Sequence, residues 1–203
     1  MLDSSLSLHQ HITKVTSTCF FYLRRLRKLS RPLDIDARKP LVCALILTRV
    51  DYCNSALVGL PDSAFARLQR VLHAAARFVL ALRPRDYISS ALQTLYWLPV
   101  RQRITYQLCV LMHGVAFVYA PAYLLDAMAP LSLLPGRAHL RSADSGQFDI
   151  PRTSSSVGSR AFSVAGPKAW NQLPTSVRHI NCVATFKRHL KTTLFTEAYS
   201  VSP

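Results

Sequence analysis

The chain has 203 residues, enough for one ordinary domain or a helical domain with a smaller appendage, and half of them are hydrophobic, which excludes wholesale disorder. Its 25 Lys and Arg against 10 Asp and Glu leave a formal net charge of +15; such a chain repels itself unless it meets polyanions, which ranks nucleic acid ahead of an anionic membrane surface or a ribosome-like assembly. The five cysteines, Cys19, Cys43, Cys53, Cys109 and Cys182, form no close pair and are odd in number, so reduced thiols in an intracellular protein, nuclear or cytoplasmic, are expected.

In residues 8 to 29, Leu8, Ile12, Val15, Cys19, Tyr22, Leu23 and Leu26 recur at helical spacing. Lys14, Arg24, Arg25, Arg27 and Lys28 project away from that stripe. Without interleaved Glu these cations gain nothing from intrahelical pairing, so the face reads either as a solvated one or as a track for phosphates. Arg31-Pro32 ends the helix, because the residue before proline avoids the α region.

Asp34 or Asp36 offers the N-cap of a second helix running through Leu45, Ile46 and Val50 toward Leu57, nearly continuous in hydrophobicity and therefore the most buried. Pro40 restricts its start to near residue 36 or just after 39. Gly59-Leu60-Pro61-Asp62 reads as a stop and restart, and a third helix over roughly 62 to 82 carries Arg67, Arg70 and Arg77 along one edge.

A short helix over Tyr87 to Leu95, an aromatic hinge at Leu95-Tyr96-Trp97-Leu98-Pro99-Val100 and a helix from about 100 to 118 follow. Arg101 and Arg103 in the first turn of the last oppose its macrodipole unless they meet an anion. Residues 106 to 125 are apolar enough to raise the question of a membrane span, but His113-Gly114 and Pro121 break the run into two buried helices, so no membrane is expected. From Pro130 the composition turns to Pro, Gly, Ser and Arg. A loop, a hairpin of Leu140-Arg141-Ser142 with Phe148-Asp149-Ile150-Pro151, a helical segment broken at Gly166-Pro167 and a terminal basic helix over about 182 to 195 are expected. The fold class is therefore mainly α: a helical bundle over residues 1–128, then an irregular small α+β tail over 129–203.

The motifs Thr48-Arg49-Val50-Asp51-Tyr52-Cys53-Asn54-Ser55, Gly59-Leu60-Pro61, Ala74-Ala75-Ala76-Arg77, Tyr96-Trp97-Leu98-Pro99-Val100, Arg103-Ile104, Ala120-Pro121-Ala122-Tyr123-Leu124 and Trp170-Asn171-Gln172-Leu173-Pro174 occur in that order. In this the chain resembles, over almost its whole length, the C-terminal part of non-LTR (LINE-type) retrotransposon reverse transcriptases. The resemblance implies that the first residues correspond to the end of the palm and the helical bundle to the thumb and post-polymerase region. The metal-binding aspartates of such enzymes lie in the palm, in an Asp-Asp motif, and no Asp-Asp pair occurs here. It thus implies a non-catalytic fragment with no cofactor and no small-molecule substrate.

Local chemistry agrees with that expectation. Cys109 with His113, and His179 with Cys182, each make only half a metal site. Ser163 lacks the glycine of a nucleophile elbow, and the one Glu is Glu197 in the tail. Asp51, Tyr52 and Asn54 are polar residues in an apolar run, expected to be structural, with Asp51 pairing with Arg49 or an arginine of the third helix such as Arg77. Trp97 and Trp170 are expected as core anchors. The expected partner is RNA or an RNA/DNA duplex, held without sequence specificity by Arg24, Arg25, Arg27, Lys28, Arg31, Arg67, Arg70 and Arg77. The competing expectation is an interaction or structural protein, or an inert relic, with no nucleic-acid affinity.

Overall fold

The computed structural model describes residues 8–29, 33–133 and 145–200. The fold is mainly α-helical, and among the described residues it contains no strand. Two compact units are formed, one from Met1–Asn54, Leu60–Arg103 and Phe195–Pro203, the other from Ser55–Gly59 and Ile104–Leu194.

The first unit is built on α1 (His9–Lys28) and α4 (Asp62–Val79), its most extensive helix pair. Ile12, Cys19, Leu23 and Leu26 of α1, and Leu68, Val71, Leu72, Ala75 and Val79 of α4, are buried. They follow the 3.6-residue period, which is why both segments form helices that pack along one side and leave their cations outside. The second hydrophobic segment is more broken than its composition suggests. It runs as α2 (Ile35–Val42), a π-helical turn at Cys43–Leu47 and α3 (Thr48–Asp51), then a 3-10 turn at Asn54–Leu57. Asp34 caps α2, its Oδ1 accepting the N–H of Ala37 at 2.8 Å, an interaction worth about 1 kcal/mol. Pro40 sits inside α2 and removes one backbone hydrogen bond without ending it. Cys53, at φ 54°, breaks the run after α3. The short α5 (Ile88–Thr94) and the first turn of α6 (Val100–Ala116) complete this unit together with the end of α10 (Val183–Tyr199), where Phe195 meets Tyr96 at 4.4 Å between ring centroids and Tyr199 donates to the Trp97 carbonyl at 2.8 Å.

The second unit has an aromatic centre. His113, fully buried on α6, stacks on Phe186 of α10 at 4.2 Å and approaches the edge of Trp170 on α8 (Phe162–Asn171) at 6.3 Å. Its Nε2 donates to the Ile180 carbonyl at 2.8 Å, and its Nδ1 lies 2.5 Å from the Tyr119 hydroxyl, so both ring nitrogens are satisfied. α8 runs unbroken through Gly166-Pro167, against the expected break. A proline forfeits one bond to the residue four before it, and burial of Val164, Ala165, Ala169 and Trp170 outweighs that loss. Gly166 is required by close packing: a Cβ there would stand 2.8 Å from Met112 Sδ.

The expected hairpin differs from what forms. Leu140-Arg141-Ser142 lies outside the described residues, and Phe148 makes only an isolated antiparallel bridge with Pro130. The loop is held instead by side chains that imitate a strand partner: Asn171 accepts from the Phe148 N–H at 3.0 Å and donates to its carbonyl at 2.8 Å, while Trp170 Nε1 donates to Gly146. Arg178, at the end of α9 (Thr175–Arg178) and 6% exposed, donates to the carbonyls of Ser145, Asn171 and Leu173 and to the Thr175 hydroxyl. The described helices are completed by α7 (Ala122–Asp126). None of them is long and apolar enough to cross a membrane.

Candidate functional site

The basic residues expected to bind nucleic acid are placed in three settings, Arg27 belonging to two of them. Arg24, Arg25, Arg27 and Lys28 are exposed on the last turns of α1, with Arg25 over the Phe21 ring at 5.5 Å. Cations suit this end of a helix, where the macrodipole is negative. Arg31 lies outside the described residues. Arg67 is engaged between α4 and α1: its Nη1 donates to His9 Nε2 at 3.1 Å and to Thr13 Oγ1 at 3.3 Å.

The third group converges. Arg27 of α1, Arg38 of α2 and Arg70 and Arg77 of α4 line one cleft of about 620 Å³, together with His73, Ala74, Phe78, Ala81, Leu82 and Pro84. The period of α4 accounts for its share, since residues 70, 73, 74, 77 and 78 fall on one side at helical spacing. Among the described residues no carboxylate lines the cleft. Arg38 Cζ lies 5.5 Å over the Phe78 ring and its Nη1 donates to the Phe78 carbonyl at 3.4 Å, which places a guanidinium on an aromatic wall. Arg77 Nε is buried and has no hydrogen-bond acceptor, a donor whose desolvation the protein does not offset. Burial, and secondarily the charge of Arg77, hold His73 below the ordinary histidine range. Sequence reasoning found Arg27, Arg70 and Arg77 here but missed Arg38, which the packing of α2 against α4 brings to the cleft.

Two further arginines of this unit have acidic partners within it. Arg101 pairs with Asp62 and lies over Phe65 at 4.4 Å, and Arg103 pairs with Asp51 at 2.6 Å. These two contacts supply the anions that cations at a helix N-terminus need. The expected partners of Asp51 are therefore corrected: Arg49 is directed to the Leu45 carbonyl and the Tyr22 ring, and Arg77 to the cleft. Asn54 is buried, whereas Tyr52 is 69% exposed. Trp97 and Trp170 are buried at 5% and 1% exposure, in separate units.

The remaining chemistry is sparse. Among the described residues no group of three or more His, Cys, Asp or Glu could hold a metal ion. Burial pushes Cys109 up to about 12 and Cys19 up to about 11, which makes both poor nucleophiles at neutral pH. Comparison with protein-family models, with curated proteins and with solved structures finds no match to this chain.

Proposed function

We propose that this protein binds RNA, or the backbone of an RNA/DNA duplex, without sequence specificity and without catalysis of its own, as the thumb-like part of a non-LTR reverse transcriptase would. The observation that carries the reading is the cleft of Arg27, Arg38, Arg70 and Arg77, which gathers four guanidinium groups and no carboxylate while Arg101 and Arg103 have acidic partners within the fold. Guanidinium groups match phosphate oxygens bidentately, so several of them lining one cleft suit a polyanion. The exposed Arg24, Arg25 and Lys28 extend the cationic surface from the same end of α1. The ordered motifs of the sequence support the family relationship, and the helical character of the first unit accords with a thumb.

Anisotropy of a labelled RNA across a salt series tests it. Each phosphate contact contributes a slope of roughly −0.7 to −0.9 in log affinity against log salt, so a slope of several units is expected. Replacing Arg24, Arg25, Arg27 and Lys28 by Ala is expected to weaken binding at least tenfold, by an estimate of about 0.5 kcal/mol per lost surface cation. Affinity independent of salt, or unchanged in that variant, overturns the reading.

A further inference from the structure

The cleft is chemically two-sided. Its cations come from Arg27, Arg38, Arg70 and Arg77, but Ala74, Ala81, Leu82 and Pro84 add an apolar lining that a phosphate cannot use. The volume of about 620 Å³ lies in the range of small-ligand pockets, about 300–1,000 Å³.

Resting on the binding reading above, we propose that this cleft receives one unpaired nucleotide of a single strand, its phosphate on the arginines and its base against the apolar lining and the Arg38–Phe78 stack. A paired strand keeps its bases stacked inside the helix and presents phosphates alone, so the apolar lining would stay wetted beside it. An unpaired nucleotide turns its base outward and covers that surface, and an arginine plane is a sequence-tolerant platform for any base. His73 contributes a neutral donor beside the cations. Gln69 Oε1 accepts the Val100 N–H at 2.9 Å, which leaves the Gln69 amino group 2.7 Å from His73 Nε2; that nitrogen therefore accepts, and the proton sits on Nδ1.

The test compares a short labelled homopolymeric RNA strand with a blunt RNA duplex of equal length, at matched salt. The strand is expected to bind about tenfold more tightly, the scale of one stacked base. Ala74→Leu, a good helix former that occupies the cleft without changing charge, is expected to abolish that preference while leaving duplex affinity within about twofold. Ala81→Asp is expected to weaken the strand more than the isosteric Ala81→Asn does; Asp and Asn both tolerate the left-handed backbone at Ala81, φ 52°, so loss of fold does not confound the pair. Equal affinity for strand and duplex, or a preference that survives Ala74→Leu, overturns the nucleotide site and leaves general binding standing. No RNA affinity at all overturns both.

Discussion

Gln69 Nε2 stands 2.7 Å from His73 Nε2, and because the amide can only donate, the fold admits His73 in its neutral form. His113 is also shifted toward its neutral form, but by burial and the charge of Lys187, while its bond to the Ile180 carbonyl acts the other way. Both rings have folded pKa values below the ordinary 6.5. The unfolded chain therefore takes up protons first on acidification. The stability they contribute is fully present above pH 6.5 and is lost as pH falls through their lower folded values. Urea midpoints are expected to drop below pH 6.5 in the wild type and to drop less in the His73→Gln variant. Parallel pH profiles for the two proteins would contradict this assignment.

The second prediction concerns helix ends. Three of them close with a Schellman arrangement around a left-handed residue that is not glycine: Ala81 after α4, Tyr96 after α5 and Val118 after α6, at φ 52°, 53° and 58°. At the last, the N–H of Val118 bonds to Val115 at 3.2 Å and that of Tyr119 to Gly114 at 3.0 Å. A β-branched residue is the least suited to this conformation, and Val118 is 74% exposed, so its side chain recovers little by packing. Val118→Gly is expected to stabilise the protein by about 1 kcal/mol, read as a higher urea midpoint at unchanged slope.

Arg178 provides the third. Burial lowers its pKa, yet it stays charged and spends its donors on three carbonyls and a hydroxyl, with no carboxylate among these partners. Lysine keeps the charge but has no planar fork to span acceptors on separate turns. Arg178→Lys is expected to cost about 2–4 kcal/mol, because it strands buried carbonyls. Fluorescence of Trp170, whose Nε1 donates to Gly146 in the same loop, would report the loosening. A variant as stable as wild type would show that the carbonyls find other donors.

The fourth concerns Asp51 and Arg103, 2.6 Å apart. The Arg103 side chain is only 14% exposed and also donates to the Leu98 carbonyl, so removing its acid leaves a desolvated charge. Asp51→Ala is expected to cost about 2 kcal/mol. A double-mutant cycle with Arg103→Met is expected to show coupling above about 1 kcal/mol, and additivity would sink the pair as a structural tie.

Periodicity made α1, α4, α6 and α10 legible from the chain, because each buries one face and the spacing of its apolar residues records it. Asp34 as a cap and the stop at Gly59-Leu60-Pro61 were legible for the same local reasons. What escaped depends on distant partners. Arg178 is one more arginine until its carbonyl acceptors are in place. The helix ends at Ala81, Tyr96 and Val118 carry no glycine to announce them, and Gly166-Pro167 announces a break that packing overrides. In the candidate site, counting charges along α1 and α4 found three of the four cleft arginines. It could not distinguish Arg67, held by His9 and Thr13, from Arg70 and Arg77 one and three turns along, nor see that Arg38 joins them.

The π-helical turn at Cys43–Leu47 bears on how this chain should be altered. Such a turn holds one residue more than an α-helical turn, which amounts to a phase slip of about 100°. A helical wheel drawn from Asp34 is in register as far as Val42 and out of register at Arg49 and Asp51. Surface substitutions are therefore better placed on two wheels, one through Ile35–Val42 and one through Thr48–Asp51, than on one wheel drawn across the turn between them.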